Sequence, residues 1–226
     1  MSRLDRISSG SNGPSRGAVD MGSIMKSSGT HCLLVLWAAA ISAGVYVIHL
    51  YSFTSAEVVA AAEKWPAVNE LPVAPGTATL VIFVHPGCPC TRASVKELSR
   101  IMTRCEGKVS TFVVLLKYDG MADDLGKTDI SDAASAIPGV RVVADERHEM
   151  AERFGASCSG ETFLYDVNGR LAFQGGITPS RGHSGDSAGQ DAVVSMLTGG
   201  AIHPTRTPVY GCSLNNRLAE NRRRSQ

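Results

Sequence analysis

The chain has 226 residues, 22 Lys and Arg side chains against 21 Asp and Glu, and a hydrophobic fraction of 43%. This length suits one domain with appendages. The formal net charge of +1 excludes a generally basic nucleic-acid-binding protein, so we expect no nucleic-acid partner. Six cysteines are too few to build a disulfide-framed miniprotein, but they suffice for a redox or metal site.

The charge is unevenly distributed, because both ends of the chain are basic and the middle is mildly acidic. Residues 1–30 are rich in Ser and Gly and lack apolar periodicity, which predicts a disordered cytoplasmic tail. The basic residues 217 and 222–224 predict a solvated end, with contact to anionic lipid as a weaker alternative.

Residues 31–55 contain an apolar run that predicts a transmembrane anchor. No charged side chain occurs between Cys32 and Phe53, and a helix of that length reaches roughly 33 Å, enough to cross a hydrocarbon core. Basic residues precede the run, so the positive-inside tendency places the following domain outside the cytoplasm. The predicted location is a single-pass protein of the inner (cytoplasmic) membrane with a periplasmic domain. A cleaved signal peptide is the alternative.

Residues 56–77 are predicted to form a linker, in which 56–64 can extend the helix and the Pro-containing stretches at 65–66 and 71–76 break it. A domain at 78–198 and a C-terminal tail at 199–226 follow. Within the domain, buried-strand runs alternate with amphipathic patterns. The expected strands are 79–84, 109–116, 140–143, 162–166 and 170–174, and the expected helices follow Cys88 and cover 129–136, 146–154 and 187–197. An Asn168-Gly169 pair indicates a hairpin between the last two strands. The order predicts an α/β fold with a mixed sheet flanked by helices.

The Cys88-Pro89-Cys90 motif lies where the first strand runs into the first helix of this domain. Unpaired backbone N–H groups and the positive end of the helix dipole stabilise a thiolate at this position and make it a nucleophile or metal ligand. Arg92 would add to this effect if its side chain folds back. A disulfide between two cysteines one residue apart closes a small ring, so it would be easily reduced.

The strand, the cysteine motif, the helix and the later GETFLYDVNGRLAF hairpin resemble the thioredoxin fold. HPGCPCTRAS together with GGITPSRGHSGD is similar to the RedB-like branch of membrane-anchored thioredoxin-like proteins. The resemblance covers about residues 78–198. It implies that Cys88 is the attacking cysteine, whereas Cys90 falls one place early and Thr91 occupies the usual resolving position.

A second departure from the thioredoxin pattern concerns the proline that normally faces the active site before the fourth main strand. The segment from Ser159 to Thr162 has no proline, and Glu161 stands at the matching place. A carboxylate beside a thiolate would raise the pKa of the thiol or accept its proton. We expect Glu161, Thr162 and the nearby Cys158 to line the same site.

A glycine-rich loop at 175–186 supplies further candidates, although an ordinary loop is an equally good interpretation. Arg181, His183 and Asp186 are polar groups suited to a thiol site, with His183 as base or ligand and Asp186 orienting it. His85, three residues before Cys88, is a candidate by proximity, or a packed turn residue.

The remaining cysteines differ in expected role. Cys105 lies on the apolar side of the first helix and is predicted to belong to the core, and Cys32 lies in the membrane segment. Cys212 follows a polar, Pro-containing stretch and is a candidate resolving cysteine that would fold back on Cys88, or a tail cysteine without a role.

The favoured function is a membrane-anchored thiol–disulfide oxidoreductase that acts on the thiols or disulfides of exported proteins and needs no cofactor. In this mechanism Cys88 attacks and Cys90 resolves. The main alternative is a thioredoxin-fold copper-binding protein or metallochaperone that uses Cys88, Cys90 and His183. A thiol peroxidase fits less well, since His85 occupies the position of the usual Thr. A binding module without redox chemistry is the non-enzymatic alternative.

Overall fold

A computed structural model describes residues 21–66, 71–117, 128–200 and 204–214, with side chains from residue 29 onward. The chain divides into two compact units, one ending at Val47 and the other beginning at Ile48. The predicted basic C-terminal end at 215–226 and the first 20 residues of the predicted tail lie outside the described residues.

The first unit consists, where it is described, of helix α1, which spans Met21–Phe53 and continues into the second unit. Its segment Gly29–Phe53 has a mean hydropathy of 2.1 and is long and apolar enough to cross a membrane. Residues 21–30 had been expected to be disordered, but they are helical. Helix propagation is cooperative, so a long apolar helix extends into a flanking stretch that lacks proline.

The second unit alternates strands and helices as the sequence patterns predict. The strands are β1 (Ala78–Val84), β2 (Val109–Leu116), β3 (Val140–Asp145), β4 (Glu161–Tyr165) and β5 (Leu171–Gly176). The helices are α2 (Pro89–Arg104), α3 (Asp129–Ser135), α4 (Glu149–Phe154) and α5 (Ala188–Thr198). Helix α4 begins three residues later than expected, because His148 has a left-handed backbone with φ 62° that cannot continue a helix.

The five strands form one mixed sheet in the order β3-β2-β1-β4-β5. Strand β1 is parallel to β2 and antiparallel to β4, while β2 and β3 are parallel and β4 and β5 antiparallel. The central strand β1 is buried along its length, and its alternating side chains enter two separate apolar clusters. The end of β1 therefore leads the chain out at the middle of the sheet, where α2 begins.

Each face of the sheet has its own core. Helices α2, α3 and α5 cover the face that includes Leu80 and Ile82. The other face carries Val81 and Phe83 and is covered by α4 together with segments outside the predicted domain. Burial of apolar side chains on both faces explains why the strand sequences are nearly continuous hydrophobic runs.

The expected linker at 56–77 is largely part of the folded unit. Trp65 packs edge-on against Phe154 and Tyr165, with ring centroids 5.2 Å apart in both pairs. The backbone at 54–66 runs along the domain without forming a helix, and the N–H of Trp65 donates to the carbonyl of Gly169 at 2.8 Å. A buried Leu71 adds to the same core. The domain thus begins well before residue 78, because this segment finds its hydrogen bonds and apolar contacts on the sheet.

The expected tail at 199–226 is also partly folded. Residues 204–214, called the C-terminal segment below, pack against the second unit, and Val209 and Leu214 are each 1% exposed. The N–H of Gln174 in β5 donates to Thr205 O at 2.9 Å, and the N–H of Ala56 donates to Val209 O at 2.8 Å. The C-terminal segment therefore joins the outer strand of the sheet to the chain that follows α1.

Candidate thiol site

Cys88 lies at the N-terminal cap of helix α2, directly after β1. Its backbone is extended, Pro89 occupies the first helical position, and no side chain caps the helix by a hydrogen bond. Proline suits this position because it has no N–H to leave unpaired and its φ is already helical. The Cys88 side chain is 3% exposed, and Cys90, in the first turn of α2, is 5% exposed. The first turn of α2 therefore presents the Cys90 N–H and the positive end of the helix dipole to a buried thiol.

The C-terminal segment brings a third thiol to this helix end. Cys212 Sγ lies 3.0 Å from Cys88 Sγ, although the two residues are 124 positions apart in sequence. The N–H of Ser159 donates to Cys212 O, and the N–H of Leu214 donates to Ser157 O, both at 2.8 Å. These two backbone hydrogen bonds fix Cys212 over Cys88.

Gly211 makes this close approach possible. A Cβ atom at residue 211 would lie 1.8 Å from the carbonyl oxygen of Ser159 and 3.1 Å from Cys158 Sγ. No side chain fits in that space. Sequence reasoning did not identify Gly211, although its position directly before Cys212 was a usable signal.

The three thiols have different acidities. Burial raises the pKa of Cys88, but hydrogen bonds from Cys212 and Cys90 to its sulfur outweigh burial, and the net pKa is lowered. Burial and the neighbouring Cys88 charge raise the pKa of Cys90. Burial and the interaction with Cys88 raise the pKa of Cys212 to about 12. Cys88 is therefore the thiol of this group that loses its proton first.

Arg181 supplies the positive charge at the site. Its guanidinium donates to Gly211 O at 2.8 Å and to Tyr51 O and Thr54 O at 3.3 Å each, and it lies 4.9 Å from the Tyr51 ring centroid. It also hydrogen-bonds Cys90 and lowers the pKa of that thiol against the larger effect of burial. Arg181 thus connects the end of α1, the C-terminal segment and the thiols.

Arg92 does not fold back on Cys88 as expected. Its side chain is 71% exposed and forms an ion pair with Asp129 at the start of α3. A carboxylate at the next helix N-terminus is within reach of Arg92, and this pairing directs the guanidinium away from the thiols. Of the two arginines that the sequence offered as candidates, Arg181 and not Arg92 is therefore the cation at the thiols.

His85 and Thr91 hold the turn that presents Cys88. The His85 N–H donates to Ser159 Oγ and Gly87 N–H donates to His85 Nδ1, each at 2.9 Å. Thr91 Oγ1 donates to His85 O at 3.0 Å and lies 3.0 Å from Ser159 Oγ. Burial lowers the pKa of His85. Ser159 therefore links the two chain segments beneath the thiols, a role that sequence reasoning did not assign to it.

Glu161 is fully buried at the start of β4, and its carboxylate accepts hydrogen bonds from Ser157 N at 2.8 Å, Cys158 N at 3.3 Å and Gln174 Nε2 at 2.9 Å. Burial raises the pKa of Glu161. Burial and the Glu161 charge together raise the pKa of Cys158 to about 12. The carboxylate thus acts on Cys158 and holds the 157–159 loop.

The remaining candidates lie further from the thiol chemistry. Thr162 is buried and donates to Gly160 O at 3.2 Å. His183 and Asp186 are exposed, and His183 Nδ1 lies 2.8 Å from the Arg181 carbonyl oxygen. No hydrogen bond or ion pair joins His183 to Asp186 within the described residues. The expected orientation of His183 by Asp186 is therefore not present.

The copper alternative required Cys88, Cys90 and His183 to form one ligand set. In the part of the chain that the structure describes, no group of three or more His, Cys, Asp or Glu side chains is placed to hold a metal ion. Cys88, Cys90 and His183 are therefore not gathered into one such group among the described residues.

No family model and no curated protein matches this chain. Among solved structures, it is similar to a hypothetical protein from Sinorhizobium meliloti 1021, with 21% identity, 71% of this chain and 96% of that chain covered, and a TM-score of 0.54. An uncharacterized conserved protein from Geobacillus kaustophilus shows 19% identity, coverage of 72% and 93%, and a TM-score of 0.51. The pneumococcal exposed lipoprotein thioredoxin Etrx1 shows 16% identity, coverage of 55% and 85%, and a TM-score of 0.40.

At these identities the similarity concerns the fold. The strand order and directions, the hairpin and the helices on both faces form the mixed sheet flanked by helices that the resemblance to the thioredoxin fold implies. The expectation from the resemblance is confirmed at this level. The cysteine motif lies at the N-terminus of α2, where β1 ends.

Proposed function

We propose that this chain is a membrane-anchored, extracytoplasmic thiol–disulfide oxidoreductase of the RedB-like branch of the thioredoxin-like proteins. The observation that carries the proposal is the placement of Cys88 at the N-terminus of α2, where hydrogen bonds from Cys212 and Cys90 lower its pKa. A thiolate, and not a thiol, attacks disulfides. The substrates are the thiols or disulfides of exported proteins.

In the reducing direction, the Cys88 thiolate attacks one sulfur of a partner disulfide. The Cys88–partner bond forms, the partner disulfide breaks, and the second partner sulfur leaves as a thiolate that takes a proton. A second thiol of the site then attacks Cys88 Sγ and releases the first partner sulfur. The partner disulfide is thereby reduced to two thiols, and the site is oxidised to a disulfide. A dithiol of another protein reduces that disulfide again.

The membrane anchor is supported by the exposed side chains of α1. Large apolar residues along the segment Gly29–Phe53 are 45–69% exposed, among them Leu33, Trp37 and Ile48. An apolar surface of this extent on a helix long enough to span a bilayer suits contact with lipid. Basic residues before the segment favour a cytoplasmic N-terminus. Recovery of the intact N-terminus from membranes after alkaline extraction would support the anchor, and a chain cut near residue 55 would refute it.

Insulin reduction in the presence of dithiothreitol tests the function on the full chain in detergent. The wild-type protein should accelerate insulin reduction, and Cys88→Ser should bring the rate down to the uncatalysed background. Cys105→Ser is the matched control, because Cys105 is a fully buried thiol at the other end of the same helix. Equal rates for wild type and Cys88→Ser would refute the proposal.

A further inference from the structure

The C-terminal segment places Cys212 in sulfur contact with Cys88, and the proposed exchange reaction needs a second thiol at this point. Cys90 and Cys212 both hydrogen-bond the Cys88 sulfur, so both are candidates. The structure distinguishes them by backbone geometry and by the charge that each thiol experiences.

Cys90 is held in the first turn of a 16-residue helix. Pro89 separates it from Cys88 and fixes the backbone between them. A disulfide between residues 88 and 90 would have to close a small ring across this proline, and departures from preferred disulfide geometry are costly. The helix end therefore resists the movement that a Cys88–Cys90 bond requires.

Cys212 reaches Cys88 from another part of the chain and closes no small ring. The present Sγ–Sγ distance of 3.0 Å is about 1 Å longer than a disulfide bond. Two backbone hydrogen bonds, made by Cys212 O and Leu214 N, attach the C-terminal segment to the 157–159 loop. A small displacement of this segment brings the two sulfurs to bonding distance and leaves α2 unchanged.

The same segment also controls access to Cys88. Cys88 is 3% exposed beneath Cys212, so a partner disulfide reaches it only when Cys212 moves aside. Cys212 is the more exposed of the two, but its pKa of about 12 keeps it a thiol, so Cys88 attacks first. Part of that raised pKa comes from the Cys88 charge, which disappears when Cys88 is bonded to the partner. Cys212 thus becomes easier to deprotonate at the step in which it must act.

We propose that Cys212 is the resolving cysteine of this site and that the oxidised protein contains a Cys88–Cys212 disulfide. This inference rests on the proposed function. After the Cys88–partner mixed disulfide has formed, Cys212 loses its proton to the departing partner sulfur and attacks Cys88 Sγ. The Cys88–Cys212 bond forms and the Cys88–partner bond breaks, so the partner leaves as a thiol and two electrons have passed to it from the two cysteines.

In this assignment Cys90 and Arg181 are positioning residues. Cys90 hydrogen-bonds the Cys88 thiolate, and Arg181 holds the Gly211 carbonyl next to Cys212. Cys158 stays reduced, because it is fully buried, its pKa is raised to about 12, and it faces the Glu161 carboxylate.

Disulfide mapping of the full chain in detergent, with glutathione disulfide as the oxidising probe, tests the assignment. Non-reducing proteolysis and mass spectrometry of the wild-type protein should recover the Cys88 peptide joined to the Cys212 peptide. Cys90→Ser should give the same linkage. Cys212→Ser should accumulate the Cys88–glutathione adduct at least about tenfold above Cys90→Ser, because the resolving thiol is missing.

A Cys88–Cys90 or Cys158–Cys212 linkage in the wild-type protein would overturn the assignment, as would accumulation of the adduct in Cys90→Ser instead of Cys212→Ser. These outcomes leave the oxidoreductase function intact. The absence of any adduct or linkage at Cys88 in all three proteins would refute the function itself. The wild-type linkage map needs no substitution, so the test stands even if a variant does not fold.

Discussion

Helix α2 has a cysteine at each end, and the two cysteines differ in the pKa of their thiols and in the groups that surround them. Cys88 caps the N-terminus and Cys105 caps the C-terminus. The pKa of Cys88 is lowered by its hydrogen bonds with Cys212 and Cys90, whereas burial raises the pKa of Cys105 despite the nearby charges of Lys108 and Arg104. Both side chains are nearly or fully buried. Burial alone therefore does not decide whether a thiol is reactive.

The difference comes from hydrogen bonding and from the direction of the helix. Backbone N–H groups and thiols of Cys212 and Cys90 donate to the sulfur at the N-terminal end, where the helix dipole is positive. Unpaired carbonyl groups lie at the C-terminal end, where Cys105 packs among Val109, Leu98 and other core residues. The same residue type is a candidate nucleophile in one place and a small apolar side chain in the other.

Exchanging Cys88 or Cys105 for serine should change the free energy of unfolding in opposite directions. Cys88→Ser should raise the free energy of unfolding by about 0.5–1 kcal/mol, because serine is a good N-cap and the native N-cap side chain makes no capping hydrogen bond. Cys105→Ser should lower it by about 1–3 kcal/mol, because a hydroxyl replaces sulfur in the apolar core. Chemical denaturation of the reduced proteins measures both. Equal destabilisation by the two changes would contradict the comparison.

Arg181 accounts for a further part of the difference, because the N-terminal end has this cation at its thiols. Arg181→Gln should slow insulin reduction about tenfold, since the thiols of the site lose their positive neighbour and the Gly211 carbonyl loses its donor. Arg92→Gln is the matched control, because Arg92 is exposed and pairs with Asp129. If insulin reduction slows equally in both variants, the loss of one positive charge from the protein, and not the loss of a contact with the thiols, would explain the slower rate.

Glu161, the buried carboxylate near the N-terminal end of α2, should give the smallest of the predicted effects. This effect is a dependence of the protein's stability on pH. Burial raises the pKa of Glu161 above its usual 4.5, so the folded protein holds this proton more tightly than the unfolded chain. The resulting stability is fully present below pH 4.5 and is lost as the pH rises through the raised pKa of the folded state. Thermal unfolding across this range should therefore show a steeper decline for wild type than for Glu161→Gln.

Part of the decline in stability with rising pH should remain in Glu161→Gln, because burial also raises the pKa of Asp145. Identical slopes for wild type and variant would show that Glu161 does not titrate differently on folding.

The regular elements were predictable because their sequence patterns are local. Strand β2 occupies the predicted residues 109–116, and the helix that follows Cys88 begins at Pro89 as expected. The packing of residues 54–66 and of the C-terminal segment was not predictable. Local sequence favoured a helix at 56–64 and only a tail at 204–214, and the partners of both stretches, such as Gly169 for Trp65, are distant in sequence.

The same distinction applies to the site. Cys88 was identified from its own surroundings in the sequence, and Cys212 was left with two open interpretations because its position depends on tertiary contacts. Arg92 and Arg181 were both candidates, and sequence alone did not decide between them for the same reason. Local sequence places Arg92 near the thiols, but Arg92 pairs with Asp129, while the fold of the 175–186 loop brings Arg181 to the site.

Titration of the thiolate absorbance tests the central claim most directly, namely that the N-terminal end of α2 activates Cys88. The signal of Cys88 is the difference between the reduced wild-type protein and Cys88→Ser as the pH is raised. This difference should titrate below the ordinary thiol pKa of 9.0, and the corresponding difference for Cys105→Ser should titrate above it. A Cys88 signal that appears only at or above pH 9.0 would contradict the account.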